Sequence, residues 1–316
     1  MSTRRHILGA AFALGLGALA GPALAQGAYP SKPITMLVGY GAGGQTDLIA
    51  RAAAQVMSRE LGQPINVVNK PGAGGAVAAR ELSQADPDGY TIMFHSNSVI
   101  NSAPFIMENV TFTPDDFDYA GMITAYQVGM AAPKDAPFDN ITEYVAWAKE
   151  NPGSTYAALS PEARLYMDEI VKATGIEVNI VPVQSGGDMI TALLGGQVMM
   201  AFSGGIHYRY PDELKSVSAL TSFRHPSAPD VPTIEEEGYP LGMDSRTTVI
   251  APKGTPRDVL EALSTALAAA EGDADFKTVT DTANIPITYL DLDAAAEEIR
   301  ATYEKNKGII EGAAGN

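Results

Sequence analysis

A chain of 316 residues, 46% of them hydrophobic, is long enough to bury the cores of two ordinary domains. Its 37 Asp and Glu against 21 Lys and Arg leave a formal net charge of −16, which disfavours nucleic acid and anionic membrane surfaces as partners. Small anionic ligands stay open, because a site uses local dipoles and donors rather than net charge. The chain has no cysteine, so disulfides, thiol chemistry and cysteine metal sites are excluded.

The N-terminus has the layout of a cleavable export signal over residues 1–25. Arg4-Arg5 supply the positive start, a largely apolar stretch runs to Leu19, and Ala23-Leu24-Ala25 offers a small-residue cleavage site. The twin arginine admits either the general secretory or the twin-arginine route. Beyond it, apolar runs at Ile34–Val38, 65–68 and 91–94 predict strands separated by helices near 47–61 and 75–84. Asp86-Pro87-Asp88-Gly89 is a turn that feeds the third strand. Segment 100–118, with Pro104 and Pro114, is expected to be irregular.

A second set of elements begins near residue 125. A helix at 140–150 stops at Asn151-Pro152-Gly153, another covers about 162–173, and strands follow at 177–182, 198–202 and 216–221. After the prolines at 226, 229, 232 and 240, Thr247 to Ala251 is a further strand. Thr255-Pro256 opens a helix to about 270, and a last helix starts near Asp293. Alternating strands and helices predict an α/β fold with largely parallel sheets. The length favours two lobes, residues 26–125 with 248–316 forming one and 126–247 the other, around a ligand cleft.

The chemistry concentrates in glycine-rich strand-to-helix turns. Tyr40-Gly41-Ala42-Gly43-Gly44-Gln45-Thr46-Asp47 follows the first strand and leads into a helix. Such a turn brings free backbone N–H groups up to an anion, and Asp47 is placed to cap the helix. A dinucleotide template needs glycine where Thr46 stands and an acid after the second strand, where Asn69-Lys70 stand; no Gly-Lys-Ser/Thr occurs either. A carboxylate is the better fit. Ser96 and Asn97, at the end of the third strand, extend the candidate site. In the second lobe, Gln184-Ser185-Gly186-Gly187 precedes a helix and Ser203-Gly204 follows a strand. Strand ends of this kind are where an open α/β sheet presents its site.

Catalytic constellations are thin. The sequence has no Gly-x-Ser-x-Gly elbow and no His-Glu-x-x-His helix. His95 is the one base that an enzyme in this cleft could use. No metal or cofactor is expected. Arg164 and Arg246 are candidate carboxylate partners, because a planar guanidinium pairs with a carboxylate through two hydrogen bonds.

Several stretches, in order, resemble the substrate-binding proteins of tripartite tricarboxylate transporters, the Bug family. They include Tyr29-Pro-Ser-Lys-Pro-Ile34, Gly43-Gly-Gln-Thr-Asp-Leu-Ile-Ala-Arg51, Asn69-Lys-Pro-Gly-Ala-Gly-Gly75, Asp86-Pro-Asp-Gly-Tyr-Thr91, Gly195-Gly-Gln-Val198 and Ala251-Pro-Lys-Gly-Thr-Pro256. The resemblance covers the chain beyond the leader. It implies a periplasmic-binding-protein-like fold of two α/β lobes, a carboxylated small molecule in the cleft, and delivery to membrane permease subunits by a periplasmic monomer. The departures fall in the second lobe. Arg164, in Ala157-Ala-Leu-Ser-Pro-Glu-Ala-Arg-Leu165, stands where the family has a histidine, Pro182-Val-Gln-Ser185 replaces Pro-Tyr-Lys-Gly, and Arg246 replaces a tryptophan. These arginines imply a second anionic group on the ligand, with Ser160 among the second-lobe groups that close over it; the ligand class the resemblance implies is a di- or tricarboxylate or an aromatic acid. The alternatives are an exported α/β enzyme acting on an organic acid, or a subunit that presents its ligand to a membrane sensor.

Overall fold

The structure, a computed structural model, describes residues 29–315; the expected export signal lies outside them. The strands are β1 (Ile34–Val38), β2 (Ile65–Asn69), β3 (Thr91–Ser96), β4 (Phe117–Ala125), β5 (Gly129–Pro133), β6 (Ser154–Ala158), β7 (Val178–Pro182), β8 (Met200–Ser203), β9 (Leu214–Ala219), β10 (Arg246–Pro252) and β11 (Ile287–Leu290). The helices are α1 (Gln45–Leu61), α2 (Ala76–Ser83), α3 (Ser98–Asn101), α4 (Ala103–Ile106), α5 (Ile141–Glu150), α6 (Pro161–Thr174), α7 (Gly186–Leu194), α8 (Arg257–Ala268), α9 (Ala274–Thr282) and α10 (Leu292–Gly315).

Two sheets result. One has the order β11-β4-β10-β3-β1-β2 and the other β7-β6-β8-β5-β9. Apolar residues on both faces of each sheet explain why both are sandwiched by helices. On β1, Ile34, Met36 and Val38 pack with Ile49, Ala53 and Met57 of α1 and Leu263 of α8. Leu37 faces the other way, with Ala78 and Leu82 of α2 and Ile299 of α10. In the second sheet, Met130 and Tyr156 pack with Tyr144 of α5 and with Tyr166 and Ile170 of α6, while Ala131 and Ala157 face Met189 and Leu193 of α7. Each such fully buried large side chain contributes about 1.5 to 3 kcal/mol through the water-exposed area it removes.

The expectation of largely parallel sheets is corrected. β1 pairs in parallel with β2 and β3, and β6 with β7 and β8, but β10 runs antiparallel to β3 and β4, β11 to β4, and β5 to β8 and β9. The parallel parts are the βαβ units that alternation does reveal. The antiparallel strands β4, β5 and β10 adjoin the crossings between the sheets, where the chain enters from the opposite end. β4, β5, β6, β11 and α9 have no counterpart among the predicted elements, and the segment expected to be irregular contains α3 and α4.

The crossings lie side by side: the Tyr126 N–H donates to the Ser245 carbonyl at 2.9 Å, and Asn97 N–H to the Arg246 carbonyl at 3.0 Å. α10 is a further tie. It covers the six-stranded sheet, yet its far end packs Ile309 and Ile310 into the core of the five-stranded one, and Lys305 approaches Asp244 at 3.4 Å.

Candidate functional site between the lobes

The glycine turns of the two lobes meet. The Gly41 N–H donates to the Gln184 carbonyl across the cleft at 3.1 Å. A Cβ on Gly44 would stand 3.0 Å from the Gly186 nitrogen, and one on Gly186 would stand 3.4 Å from the Gly44 Cα. This backbone-to-backbone contact is the physical reason for glycine at both places. Behind it lies a cavity of about 50 Å³. Gly44, Gln45, Thr46, Ser96 and Ser98 line it from one side, Leu159, Glu162, Gly186, Phe202 and Gly204 from the other, and Tyr126 and Ser245 of the crossings close it. A wider pocket of about 310 Å³ adjoins it at Tyr40 and Leu159, flanked by Gly74, Ser160 and Arg164.

Three helices start here. α6 is capped by its own Ser160, whose Oγ accepts from the Ala163 N–H at 3.0 Å, and α7 by Ser185, whose Oγ accepts from the Asp188 N–H at 3.1 Å. α1 differs. It begins at Gly44 with no side-chain cap, so its first-turn N–H groups remain available to an anion at the positive end of the helix dipole. Asp47 does not cap α1, contrary to expectation. Its carboxylate instead accepts from the Gly43 N–H, from Asn69 and from Arg51. Burial works against that charge, but the hydrogen bonds outweigh it and hold the carboxyl below its ordinary value. The Gly43 amide is therefore spent inside the lobe, and Ala42 and Gly43 are exposed.

Gln45 is the most telling residue. Its side chain is 5% exposed, and neither its Oε1 nor its Nε2 has a hydrogen-bond partner among the described residues. Orphaned buried amides are costly, so a side chain held this way points to a ligand. Beside it the Thr46 hydroxyl and the Tyr126 hydroxyl are 2.8 Å apart. The other predicted residues divide. Tyr40, Ser96, Gly186 and Gly204 line the cavity. Ser160 and Gln184 flank the wider pocket, and Gly187 lies against Gly43. Ser203 is turned inward, its Oγ 2.8 Å from His207 Nδ1, and the Asn97 Oδ1 accepts from the Arg246 N–H.

Neither arginine lines the smaller cavity. Arg164 is exposed at the rim of the wider pocket and ion-paired to Asp168 one turn on. Arg246 reaches away from the cavity to the Thr288 hydroxyl and to Glu298 at 3.6 Å. Helical spacing and a neighbouring helix give each guanidinium an internal carboxylate, so among the described residues no cation lines the cavity. His95 is fully buried against the Tyr40 ring, with Nε2 3.1 Å from the Gly74 carbonyl. Burial pushes its pKa down to about 4, which is a structural histidine's environment and offers no poised base.

Sequence reasoning missed Ser98, Tyr126, Val128, Leu159, Glu162, Phe202, Ile206 and Ser245. Glu162 matters most. It sits in the first turn of α6, 7% exposed, and hydrogen-bonds to Ser98 of the other lobe; burial lifts its carboxyl to about 7. The one available signal is its place two residues after a Ser-Pro helix start.

A family profile described as "Tripartite tricarboxylate transporter family receptor" matches residues 49–314, and the chain belongs to that family. It is 32% identical over 315 residues to the UPF0065 protein in the gbd 5'region of Cupriavidus necator, covering 98% of this chain and 95% of that one. Against a UPF0065 protein of Bordetella pertussis it is 35% identical over 246 residues, covering 75% of this chain and 76% of that one. Among solved structures, the periplasmic binding protein BugD superposes with a TM-score of 0.81 at 26% identity, over 90% of this chain and 99% of that chain. The fold is that of periplasmic binding proteins, with the cleft between lobes, and the family is one of substrate-binding receptors rather than enzymes.

Proposed function

We propose that this protein is an exported, periplasmic, monomeric solute-binding protein that captures a small carboxylate and delivers it to the membrane permease subunits of a tripartite tricarboxylate transporter. In this reading one lobe comprises residues 26–125 with 248–316, and the other residues 126–247. The observation that carries the reading is the uncapped start of α1 beside the unpartnered Gln45 amide, both facing the cavity. In this reading the amides of Gln45, Thr46 and Asp47 hold one carboxylate and the Gln45 side chain donates to it. The lobes then close through Gly41–Gln184 and Gly44–Gly186 by hinge motion at the paired crossings. The family membership supports delivery to a permease.

The test is a thermal-shift screen against mono-, di-, tri- and aromatic carboxylates. A ligand present at about 100 times its Kd adds about 2.7 kcal/mol of stability. Stabilisation by a carboxylate, with the compound recovered unchanged by mass spectrometry, is expected. Failure of every carboxylate to stabilise the protein, or turnover of one, overturns the reading.

A further inference from the structure

Glu162 poses a problem for any ligand with an anionic group at both ends. It is a buried carboxyl lining the cavity, its hydrogen-bond partner is a neutral hydroxyl, and among the described residues no Lys, Arg or His lines the cavity with it. The arginines that would have received a second carboxylate are paired elsewhere. A ligand carboxylate beside Glu162 would meet a like charge in a poorly solvated space, where repulsion is strongest.

We propose that Glu162 is a specificity-determining residue that selects a zwitterionic ligand, a carboxylate that also bears an ammonium group. The carboxylate end goes to the α1 amides and Gln45, and the ammonium end to Glu162. Two independent features agree. The lobes present complementary chemistry to one cavity, open donors from one side and an acceptor carboxyl from the other. Glu162 is also held for that task, since it stands in the first turn of α6, where the helix dipole favours an ionised acid, and Ser98 reaches it from the opposite lobe. A ligand ammonium would supply the countercharge that the cavity lacks and so tie the two lobes together. The small cavity favours a short chain.

The inference rests on the carboxylate reading and is tested beside it. Wild-type protein and Glu162→Gln, an isosteric change, are titrated calorimetrically at pH 8 with matched sets: propanoate, malonate and β-alanine, then butyrate, succinate and 4-aminobutyrate, together with a panel of α-amino acids and their deaminated counterparts. The expected result is that amino-bearing acids bind wild type at least tenfold tighter than their matched partners. Glu162→Gln should lose that preference and gain affinity for dicarboxylates. Circular dichroism of the variant establishes that it is folded; should it not fold, Ser98→Ala, which removes the hydroxyl that positions the carboxyl, must weaken the amino-bearing acid relative to its partner. Plain mono- or dicarboxylates binding best to wild type overturn the inference and leave the carboxylate reading standing. Binding of none of these acids overturns both.

Discussion

Helices α1 and α6 both start at the cavity, one from each lobe, and they meet a ligand in opposite ways. α1 begins at a glycine without a side-chain cap and brings the unpartnered Gln45 amide. α6 is capped by its own serine and brings Glu162 into the same space. One helix start is left incomplete and the other is completed internally, then given an acid. The difference shows that a helix dipole becomes a ligand site only where the chain withholds its own cap, and that the side chain of the first turn sets the sign of what is welcomed.

The largest effect should come from neutralising the acid end. The carboxyl of Glu162 is lifted from 4.5 to about 7, so between those values the folded protein holds a proton that the unfolded chain has released. Stability from this group is intact below about pH 4.5 and is lost as pH rises through about 7, a penalty of about 3 kcal/mol at most. Glu162→Gln should therefore stabilise the ligand-free protein at pH 8 and make no difference near pH 4.5, measured by urea unfolding across that range. The buried histidines act with the opposite sign. His95 and His225 are pushed down to about 4 and His207 to about 3 by burial. They keep their stabilising effect above about pH 6.5 and lose it as acidification forces a proton on them. Wild type should thus still unfold more easily at pH 4.5 than at pH 7, and a difference curve between wild type and variant isolates Glu162. A flat difference curve would mean that Glu162 is well solvated.

Next comes the contact that lets the two ends close. Gly44→Val places a side chain against the Gly186 nitrogen, and an overpacked contact costs about 1 to 3 kcal/mol, or about five- to 150-fold in affinity. Gly44 has φ −79°, so the substitution leaves its own backbone unstrained and the loss should appear in calorimetric affinity with little change in melting temperature. Gly43→Ala is the counterpart. Its φ of +84° with open space around it predicts a stability loss of about 1 kcal/mol with affinity kept. Reversal of the two results would place the ligand outside the cavity.

Gln45→Leu sharpens the donor end. A hydrogen bond to a charged group is worth about 1.5 to 3 kcal/mol, so affinity should fall by about tenfold or more. The free protein should lose no stability, because the amide has no partner among the described residues to give up. A drop in melting temperature without ligand would show that Gln45 is structural. The smallest effects belong to the arginines: Arg164→Ala and Arg246→Ala should change affinity by less than about twofold, as exposed or half-exposed ion pairs contribute little. A tenfold loss in either would restore the two-ended anion that the sequence suggested.

How much is legible follows from the physics of each residue. Gly41 to Thr46 stand out because a strand, a glycine turn and a periodic helix lie next to one another in the chain, and local geometry follows local sequence. Glu162 is hidden, since an acid in a first helical turn is ordinary on any solvated helix; it is buried by segments far away in sequence, Ser98 among them. Arg164 and Arg246 look free because their partners are a turn away or on a distant helix. Asp47 resembles a cap by position alone; Arg51, four residues on along α1, is a partner local to the helix, whereas the pull of Asn69 emerges only once the second strand is folded beside α1.

By itself, then, the sequence determined the α/β class and the glycine turn before α1, both of which depend on neighbours within a few residues. The tertiary structure alone decided strand direction at the crossings, the pairing of the arginines and the burial of Glu162. Those depend on which segments the two lobes bring together, and burial, unlike helix or turn, is a property that no short stretch of chain possesses.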